Sequence, residues 1–313
     1  MKKFSVYQYL PGQPMTSRDK REVNSKFWNK GKWDNFVAPL LPEDCSDMTL
    51  VDMGCNAGLF LQLAEKKGFR NAIGVDSDKE AVRRAIEYRD RIGGRYDVQR
   101  RKMERSVDRL PISDYTILVN AHYYFEINDF LDYVDRLQSK TRYCIIVTGA
   151  KRTLKSIAAA DSNSIRDYFK TWDEVKGIDE IPSYGDPAPR RLWTLCFKSK
   201  LIERIDINKL DNGNHQQIGF YGQLDKDGLN FDARKTDYYR RMKTYRMKEH
   251  RWSLKKVDDF VWGKAYLYMD IKKSGLMKPI IVSSKNNRIV DGNHRCEMLK
   301  HLGYKSILIR RVR

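Results

Sequence analysis

The sequence predicts an α/β protein in which an open, mostly parallel sheet precedes a smaller α+β domain. Three observations predict this fold. Short apolar runs alternate with amphipathic stretches along much of the chain, which is typical of parallel strands covered by helices on both faces. A glycine-rich turn joins the first strand to a helix. Near residue 225 a glycine and polar cluster ends this pattern, and the chain beyond it is strongly basic.

Length and composition favour a two-domain protein of the cytoplasm. The 313 residues correspond to about two domains, and 41% hydrophobic residues provide enough apolar surface for a core. No apolar run approaches the ~20 residues needed to span a bilayer. We therefore expect no membrane insertion. The five cysteines include no Cys-x-x-Cys pair, so neither a disulfide framework nor a metal site is predicted.

Charge is distributed unevenly along the chain. The formal net charge is +19, and residues 225–313 hold 23 Lys and Arg against 10 Asp and Glu. Such an excess favours a polyanionic partner or a phosphate-bearing ligand. We accordingly place the domain boundary between residues 224 and 225.

The first strand and its turn are the most informative feature of the sequence. Residues 50–60 read Leu-Val-Asp-Met-Gly-Cys-Asn-Ala-Gly-Leu-Phe, with Asp52 at the strand end and Gly54 and Gly58 in the turn. Because glycine has no Cβ, this backbone can approach a ligand closely. The amides of the turn and of the following helix face that ligand.

A second acid completes the pattern. The strand 71–75 ends at Asp76, where a carboxylate can accept both hydroxyls of a ribose. The turn itself reads D-x-G-x-x-x-G, whereas a pyrophosphate cradle has G-x-G-x-x-G, and an acid inside the turn repels an anion. Asp52 suits a ligand that carries an ammonium or sulfonium group. Together the two acids imply a nucleoside-containing, positively charged cofactor.

This segment resembles motif I of the class I S-adenosylmethionine-dependent methyltransferases, and the resemblance extends over roughly residues 35–200. It implies a Rossmann-like seven-stranded sheet, S-adenosyl-L-methionine as cofactor and no required metal. The alternatives are an ordinary strand-to-helix turn of another doubly wound protein and a nicotinamide enzyme. The implied cofactor-binding residues are Asp52, Gly54, Cys55, Asn56, Ala57, Gly58, Asp76, Ser77, Met103, Glu104 and Asn120.

The other elements of the first domain follow in chain order. Residues 23–36 predict a helical lead-in, which carries a Lys-Trp-Asp similar to that of methyltransferases of tRNA wobble uridine or sugars. Residues 151–190 predict a lid-like insertion, helical and then irregular. Further strands are expected around residues 97–99, 115–119 and 143–147, and the antiparallel end of the sheet at 191–197 and 218–221.

The fourth strand delivers residues 120–126 to the carboxyl edge of the sheet, where substrates bind in this family. The segment lacks the Asn/Asp-Pro-Pro-aromatic signature of exocyclic-amine methylation, so O-methyl transfer is favoured. His122 is the candidate catalytic base, because imidazole titrates near working pH. The alternative is a histidine whose hydrogen bonds are satisfied by the backbone.

A basic helix opens the second domain. Residues 231–252 alternate Lys and Arg with Tyr and Trp, which favours a helix lying on a phosphate backbone. The alternative is a connecting helix whose apolar face docks on its neighbour and whose charges are solvated.

The remaining residues read as helix, Pro-Ile-Ile-Val strand, Asp-Gly-Asn-His-Arg turn, helix and strand, and this order resembles the small ParB/sulfiredoxin fold. The resemblance implies that the turn binds phosphate or a nucleoside di- or triphosphate. Its alternative is a copy retained for substrate binding or dimerisation. The candidate phosphate-binding residues are Asp291, Gly292, Asn293, His294 and Arg295.

The sequence therefore predicts a methyltransferase domain, residues 1–224, followed by a basic helix and ParB/sulfiredoxin-like domain, residues 225–313. The favoured acceptor is phosphate-rich, with RNA before other polyanions. One alternative is a methyltransferase and ParB-like kinase acting on a small metabolite or glycan. Another is a nucleotide-dependent binding module in which the first domain only senses the cofactor.

Overall fold

The computed structural model describes residues 10, 30–149, 162–182, 191–211 and 218–312. The chain divides into two compact units, Met1–Glu203 and Arg204–Arg313. The division lies earlier than the boundary expected at residues 224 and 225. The reason is that the segment after Glu203 supplies a strand and a helix to the second unit.

The first unit is built on a seven-stranded sheet, as predicted. Its order is β3-β2-β1-β4-β5-β7-β6. Strands β1 to β5 run parallel, and β7 pairs antiparallel with both β5 and β6. The strands are β1 Thr49–Met53, β2 Asn71–Asp76, β3 Asp97–Arg100, β4 Ser113–Val119, β5 Thr141–Gly149, β6 Asp173–Pro182 and β7 Arg191–Lys198.

Helices connect these strands, and their ends are set by residues suited to caps. Helix α1 lies between Gly58 and Gly68, both in the left-handed region, and Asp78 caps α2 by accepting from the amides of Glu80 and Ala81. The helices are α1 Leu59–Lys67, α2 Lys79–Ile92, α3 Ile127–Gln138 and α4 Ser162–Tyr168. Short helical turns span Lys30–Lys32, Trp33–Val37, Ala38–Leu40, Met103–Arg105, Val107–Arg109 and His122–Tyr124.

The sheet is buried on both faces. In β1, Leu50 belongs to one hydrophobic cluster, whereas Val51 and Met53 belong to a second. In β5, Ile145 and Ile146 divide in the same way. This confirms the reading of the apolar runs as strands covered by helices on both sides.

Two predictions for the first unit are wrong in part. Residues 173–182 of the expected lid form the edge strand β6, because they pair with β7; residues 150–161 and 183–190 lie outside the described residues. The segment 218–221 is not a strand of this sheet. It begins a helix whose Phe220, Tyr221 and Leu224 are buried in the core of the second unit.

The helical lead-in is described from residue 30 onwards, and residues 23–29 lie outside the described part. Within it, Trp33 and Phe36 are buried, and the Trp33 ring packs 6.0 Å from that of Phe60. The lead-in therefore contributes to the hydrophobic core of the first unit.

In its described residues, the second unit packs four α-helices against a four-stranded sheet of order β10-β9-β11-β8. From residue 254 onwards the predicted helix, strand, helix and strand are present in that order, and residues 289–291 form a further strand that was not predicted. The strands are β8 Glu203–Asp206, β9 Ile280–Ser283, β10 Ile289–Asp291 and β11 Ser306–Val312. The helices are α5 Ile218–Asp227, α6 Asp237–His250, α7 Leu254–Ser274 and α8 Asn293–His301.

Membrane-spanning helices and metal-ligand clusters are both absent from the described residues. None of the described helices is long and apolar enough to cross a membrane. The described residues contain no group of three or more His, Cys, Asp or Glu side chains placed to hold a metal ion. All five cysteines are buried thiols.

Candidate active site of the first unit

The turn after β1 folds over the end of β2. The amides of Gly54 and Cys55 both donate to the carbonyl of Val75, at 2.7 and 3.1 Å. Gly54, Asn56 and Gly58 take φ values of +80°, +49° and +83°. A left-handed backbone is costly for most residues, and asparagine tolerates it better than others. The local sequence thus fits the sharp turn that the structure shows.

Gly54 brings three segments together. A Cβ built on Gly54 would lie 3.0 Å from the Cβ of Ala121 and 3.6 Å from the Sδ of Met103. The turn after β1, the segment after β3 and the segment after β4 therefore meet at the carboxyl edge of the sheet. The sequence placed candidate cofactor residues in these same three segments.

Replacing Gly54 with alanine tests this close approach. We expect Gly54→Ala to lower the free energy of unfolding by more than Gly68→Ala does. At Gly68, with φ +98°, a Cβ meets nothing within 4 Å, so alanine there costs only the left-handed backbone, about 1 to 2 kcal/mol. Denaturant unfolding of both variants measures the difference. An equal loss in the two variants would contradict the close approach at Gly54.

The side chains of two predicted cofactor residues are buried, so that only their backbone could contact a ligand. Cys55 and Ala57 are buried, and the Cys55 thiol packs against β2, where a Cβ on Gly74 would come within 2.6 Å of its Sγ. Burial raises the pKa of this thiol well above its ordinary value. Cys55 is therefore a small packing residue at neutral pH.

Asp76 is held in place by the backbone of its neighbours. Its Oδ2 accepts from the amide of Asn56 at 2.9 Å, and its Oδ1 accepts from the amide of Asp78 at 2.9 Å. Burial raises its pKa. An ionised carboxylate has about four acceptor positions, so two amide bonds leave capacity for hydroxyl donors. The neighbouring Ser77 is exposed.

Asp52 is a buried acid with a side-chain oxygen that is unsatisfied within the described residues. Its side chain is 1% exposed, and its Oδ2 has no hydrogen-bond partner in the described part of the chain. Burial and, next, the charge of Asp76 raise its pKa well above 3.8. A buried carboxylate without a partner is unfavourable, and a cation placed beside it relieves that cost. The chemistry of this pair of acids fits a positively charged ligand.

Asn120 and His122 follow β4 at the same edge. Asn120 has φ +54°, and its amide donates to the Val147 carbonyl at 2.8 Å. The His122 side chain is 1% exposed, with its ring centroid 6.3 Å from that of Phe130. Burial lowers its pKa to about 4. His122 is thus neutral at neutral pH and a weaker base than an ordinary histidine.

The adenine-contact candidates also lie at this edge. Met103 and Glu104 are half-buried, and the Glu104 carbonyl accepts from Nη2 of Arg136 at 2.6 Å. Tyr124, which belongs to the segment 120–126 expected at this edge, is 67% exposed just beyond His122. The run His-Tyr-Tyr-Phe gives no signal that would separate this exposed ring from the buried Phe125.

The predicted phosphate turn of the second unit has a different organisation from the one expected. Nη1 of Arg295 donates to the carbonyls of Lys278 and Pro279, both at 2.9 Å, and its Nη2 donates to Oδ2 of Asp291 at 2.6 Å. Its side chain is only 12% exposed. Arg295 therefore fastens the turn to the segment before β9 and does not present its charge openly. Gly292, with φ +106°, precedes helix α8, and Asn293 and His294 are half-buried.

Comparison with known proteins finds one similarity in the first unit. Residues 27–177 match the family model described as a methyltransferase domain. A search of curated proteins finds no match to this sequence.

Three solved structures are among those similar to this chain. Magnesium protoporphyrin IX methyltransferase from Synechocystis PCC 6803 is 14% identical, with 60% of this chain and 87% of that chain covered and a TM-score of 0.46. The PH0226 protein of Pyrococcus horikoshii OT3 is 13% identical, with 57% and 94% covered and a TM-score of 0.45. The N-methyltransferase NodS of Bradyrhizobium japonicum WM9 is 14% identical, with 49% and 85% covered and a TM-score of 0.41.

The residues that match the family model contain the turn after β1, both acids and the segment after β4. This part of the first unit is therefore similar to a methyltransferase domain.

Proposed function

We propose that the first unit is an S-adenosylmethionine-dependent methyltransferase. The observation that carries the proposal is the pair of acids at the ends of β1 and β2. Asp52 is buried with an oxygen that has no partner among the described residues, and Asp76 is fixed by two backbone amides. A ligand with a cationic amino-acid end and a ribose end satisfies both groups.

Each residue of the site has a defined task in this proposal. Asp52 provides negative charge for the ammonium of the methionine end, and Asp76 accepts the ribose hydroxyls. Gly54 lets the turn approach the ligand, next to Met103 on the adenine side. S-adenosylmethionine supplies a methyl group made electrophilic by its sulfonium sulfur. The protein contributes by orienting the reactants and excluding water, which removes much of the barrier to such a transfer.

We propose O-methyl transfer to a phosphate-rich acceptor, with RNA favoured. The basic second unit supports this acceptor class, since residues 225–313 carry most of the net positive charge. The rival is a small metabolite or glycan acceptor. Incubation with methyl-labelled cofactor and a fractionated cell extract separates them: label should enter a high-molecular-weight fraction and be released by ribonuclease. Label confined to small molecules would contradict the RNA proposal.

His122 is proposed as the base that removes the acceptor proton. Because its pKa is lowered to about 4, turnover should show no inflection near 6.5, where an ordinary histidine titrates. We expect His122→Asn to lower turnover by about 10²-fold, the smaller end of the range for such groups, with unchanged cofactor affinity. Label transfer across pH and calorimetry measure the two quantities. Undiminished turnover would remove His122 from the mechanism.

We further propose that the second unit is ParB/sulfiredoxin-like and binds a nucleoside di- or triphosphate or the phosphates of the acceptor. The order of elements from α7 to β11 and the left-handed Gly292 before α8 support this proposal. A kinase activity would make the chain bifunctional. Mixing the protein with labelled triphosphate distinguishes the cases, because a kinase transfers label to an acceptor whereas a binding module only retains it.

A further inference from the structure

Helix α6 carries an arginine at a position that faces inward. Tyr238 and Tyr239 are buried and Met242 is half-buried, and Arg246 occupies the next turn on the same face. An apolar residue is the ordinary choice at such a position. Arg246 is nevertheless half-buried there.

Arg246 is surrounded by aromatic rings. Its Cζ lies 5.3 Å from the ring centroid of Tyr245, 4.8 Å from that of Trp252 and 5.4 Å from that of Phe260. Its Nε is buried and has no hydrogen-bond partner among the described residues. The rings therefore hold the guanidinium in one orientation.

Two lysines of helix α7 approach the same rings. The Nζ of Lys256 lies 4.7 Å from the Trp252 centroid, and the Nζ of Lys264 lies 5.0 Å from the Phe260 centroid. We call Arg246, Trp252, Lys256, Phe260 and Lys264 the cation–aromatic cluster. Its three cations take part in none of the salt bridges found within the described residues.

Positive charge is crowded at this cluster. Burial lowers the pKa of Lys264, and the charges of Arg295 and Arg246 lower it further. The one acid that acts in the opposite direction, Asp291, is bound to Arg295. Cations held close together repel one another when the nearby carboxylate is already paired, and a bound anion relieves that repulsion.

The rings of the cluster are covered by their own cations. Trp252 contacts both Arg246 and Lys256, and Phe260 contacts both Arg246 and Lys264. A nucleobase that stacked on the ring face occupied by a cation would have to displace that cation. The rings therefore position charges and do not serve as stacking platforms, which distinguishes this cluster from the usual base-stacking surface.

The extent of the charge favours an extended ligand. The cations of helix α6 are Arg240, Arg241, Lys243, Arg246 and Lys248, and they span about 12 Å of the helix axis. Lys256 and Lys264 add two cations from helix α7. A nucleic-acid strand presents successive separate phosphates to such a distribution, whereas a nucleoside triphosphate presents one compact group.

We propose that the cation–aromatic cluster binds the backbone phosphates of single-stranded RNA without reading its bases. This inference deepens the proposed function, since it rests on a phosphate-rich acceptor. Arg246 and Lys264 are the central contacts, and Trp252 and Phe260 are positioning residues. Arg295 is not assigned as a contact, because its guanidinium already donates to two backbone carbonyls and to the carboxylate of Asp291.

The test uses the full chain and a fluorescent single-stranded oligoribonucleotide of mixed sequence. We expect Arg246→Gln and Lys264→Gln each to weaken binding about fivefold to tenfold, and each to lower the slope of log affinity against log salt by about 0.7. Arg246→Lys should retain most of the affinity. Lys226→Gln on α5 removes the same charge outside the cluster and should change affinity less than twofold. Circular dichroism confirms that each variant is folded.

Two further probes separate the ligand classes. An abasic strand of equal length should bind within about threefold of the RNA, because the contacts are to phosphate. Polyglutamate should compete poorly. The proposal is overturned if Arg246→Gln and Lys264→Gln behave like Lys226→Gln, if the abasic strand fails to bind, or if polyglutamate competes as well as RNA. Calorimetry with S-adenosylmethionine on the same variants keeps this outcome separate from the methyltransferase proposal, since cofactor affinity should not change.

Discussion

Asp52→Asn is expected to weaken S-adenosylmethionine binding about thirtyfold or more while making the unliganded protein more stable. Truncating one partner of a buried charge pair costs about 2 kcal/mol or more, which corresponds to about thirtyfold in affinity. In the unliganded protein the same carboxylate is buried, and one of its oxygens has no partner among the described residues. Asparagine removes the cost of that charge. Stability and cofactor affinity should therefore change in opposite directions.

The sign of the pH dependence follows from the raised pKa of Asp52. Its pKa in the folded protein lies well above 3.8 because of burial and of Asp76, so folding favours the protonated acid. The stability that Asp52 contributes is present below its unfolded pKa and is lost as pH rises through the folded value. Asp52→Asn should thus raise the melting temperature at neutral pH and have little effect under strongly acidic conditions. A lower melting temperature at neutral pH would contradict the account.

Asp76→Asn is expected to weaken binding about a hundredfold, by a different route. Both of its oxygens accept backbone amides, from Asn56 and Asp78, and an asparagine amide group can accept through only one atom. The variant therefore loses an anchor of the turn as well as a ribose acceptor. Asp78→Asn is the matched control, because it removes a charge two residues away and keeps a good cap on α2. Calorimetry measures the affinities.

A shorter ligand separates the roles of the two acids. Methylthioadenosine carries the same nucleoside but lacks the amino-acid end. Asp52→Asn should leave its affinity unchanged, and Asp76→Asn should weaken methylthioadenosine and S-adenosylmethionine alike. Equal losses with both ligands in the Asp52 variant would show that Asp52 does not recognise the amino-acid end.

The sequence predicted the parts of the fold in which local pattern and packing agree. The apolar runs of β1, β2, β4 and β5 are buried on both faces, and the glycine turn takes the left-handed backbone that glycine permits. Two helices and two strands of the last sixty residues were predicted in their observed order, whereas the short strand β10 was not. Family resemblance supplied the expectation of seven strands, which no local pattern contains, and the order of the strands comes from the structure alone.

The errors arise where long-range pairing decides the structure. Residues 173–182 are polar and are mostly exposed where described, so nothing local indicates that they pair with β7. The segment 218–221 is apolar enough for a strand, and only the burial of Leu224 with Phe220 in the second core reveals a helix. The expected domain boundary differs from the observed division for the same reason. The net charge of the sequence rises near residue 225, whereas the residue contacts divide the chain near residue 204.

The site shows a similar division. Spacing placed Asp52 and Asp76 at one edge, because strand ends in a parallel sheet lie together. Spacing cannot show burial, which lowers the pKa of His122 to about 4, nor the backbone carbonyls that engage Arg295. Arg246 is one of several basic residues in segment 231–252, and its aromatic surroundings come from helices α6 and α7 and from Trp252 between them, a proximity that sequence spacing does not show.

A crystal structure of the protein grown with S-adenosylhomocysteine would show directly whether the two acids bind the cofactor. The ribose hydroxyls should lie on the carboxylate of Asp76, the ligand's amino group beside Asp52 and the ligand backbone close to Gly54. A ligand bound elsewhere, or density absent from this edge of the sheet at saturating concentration, would contradict this expectation.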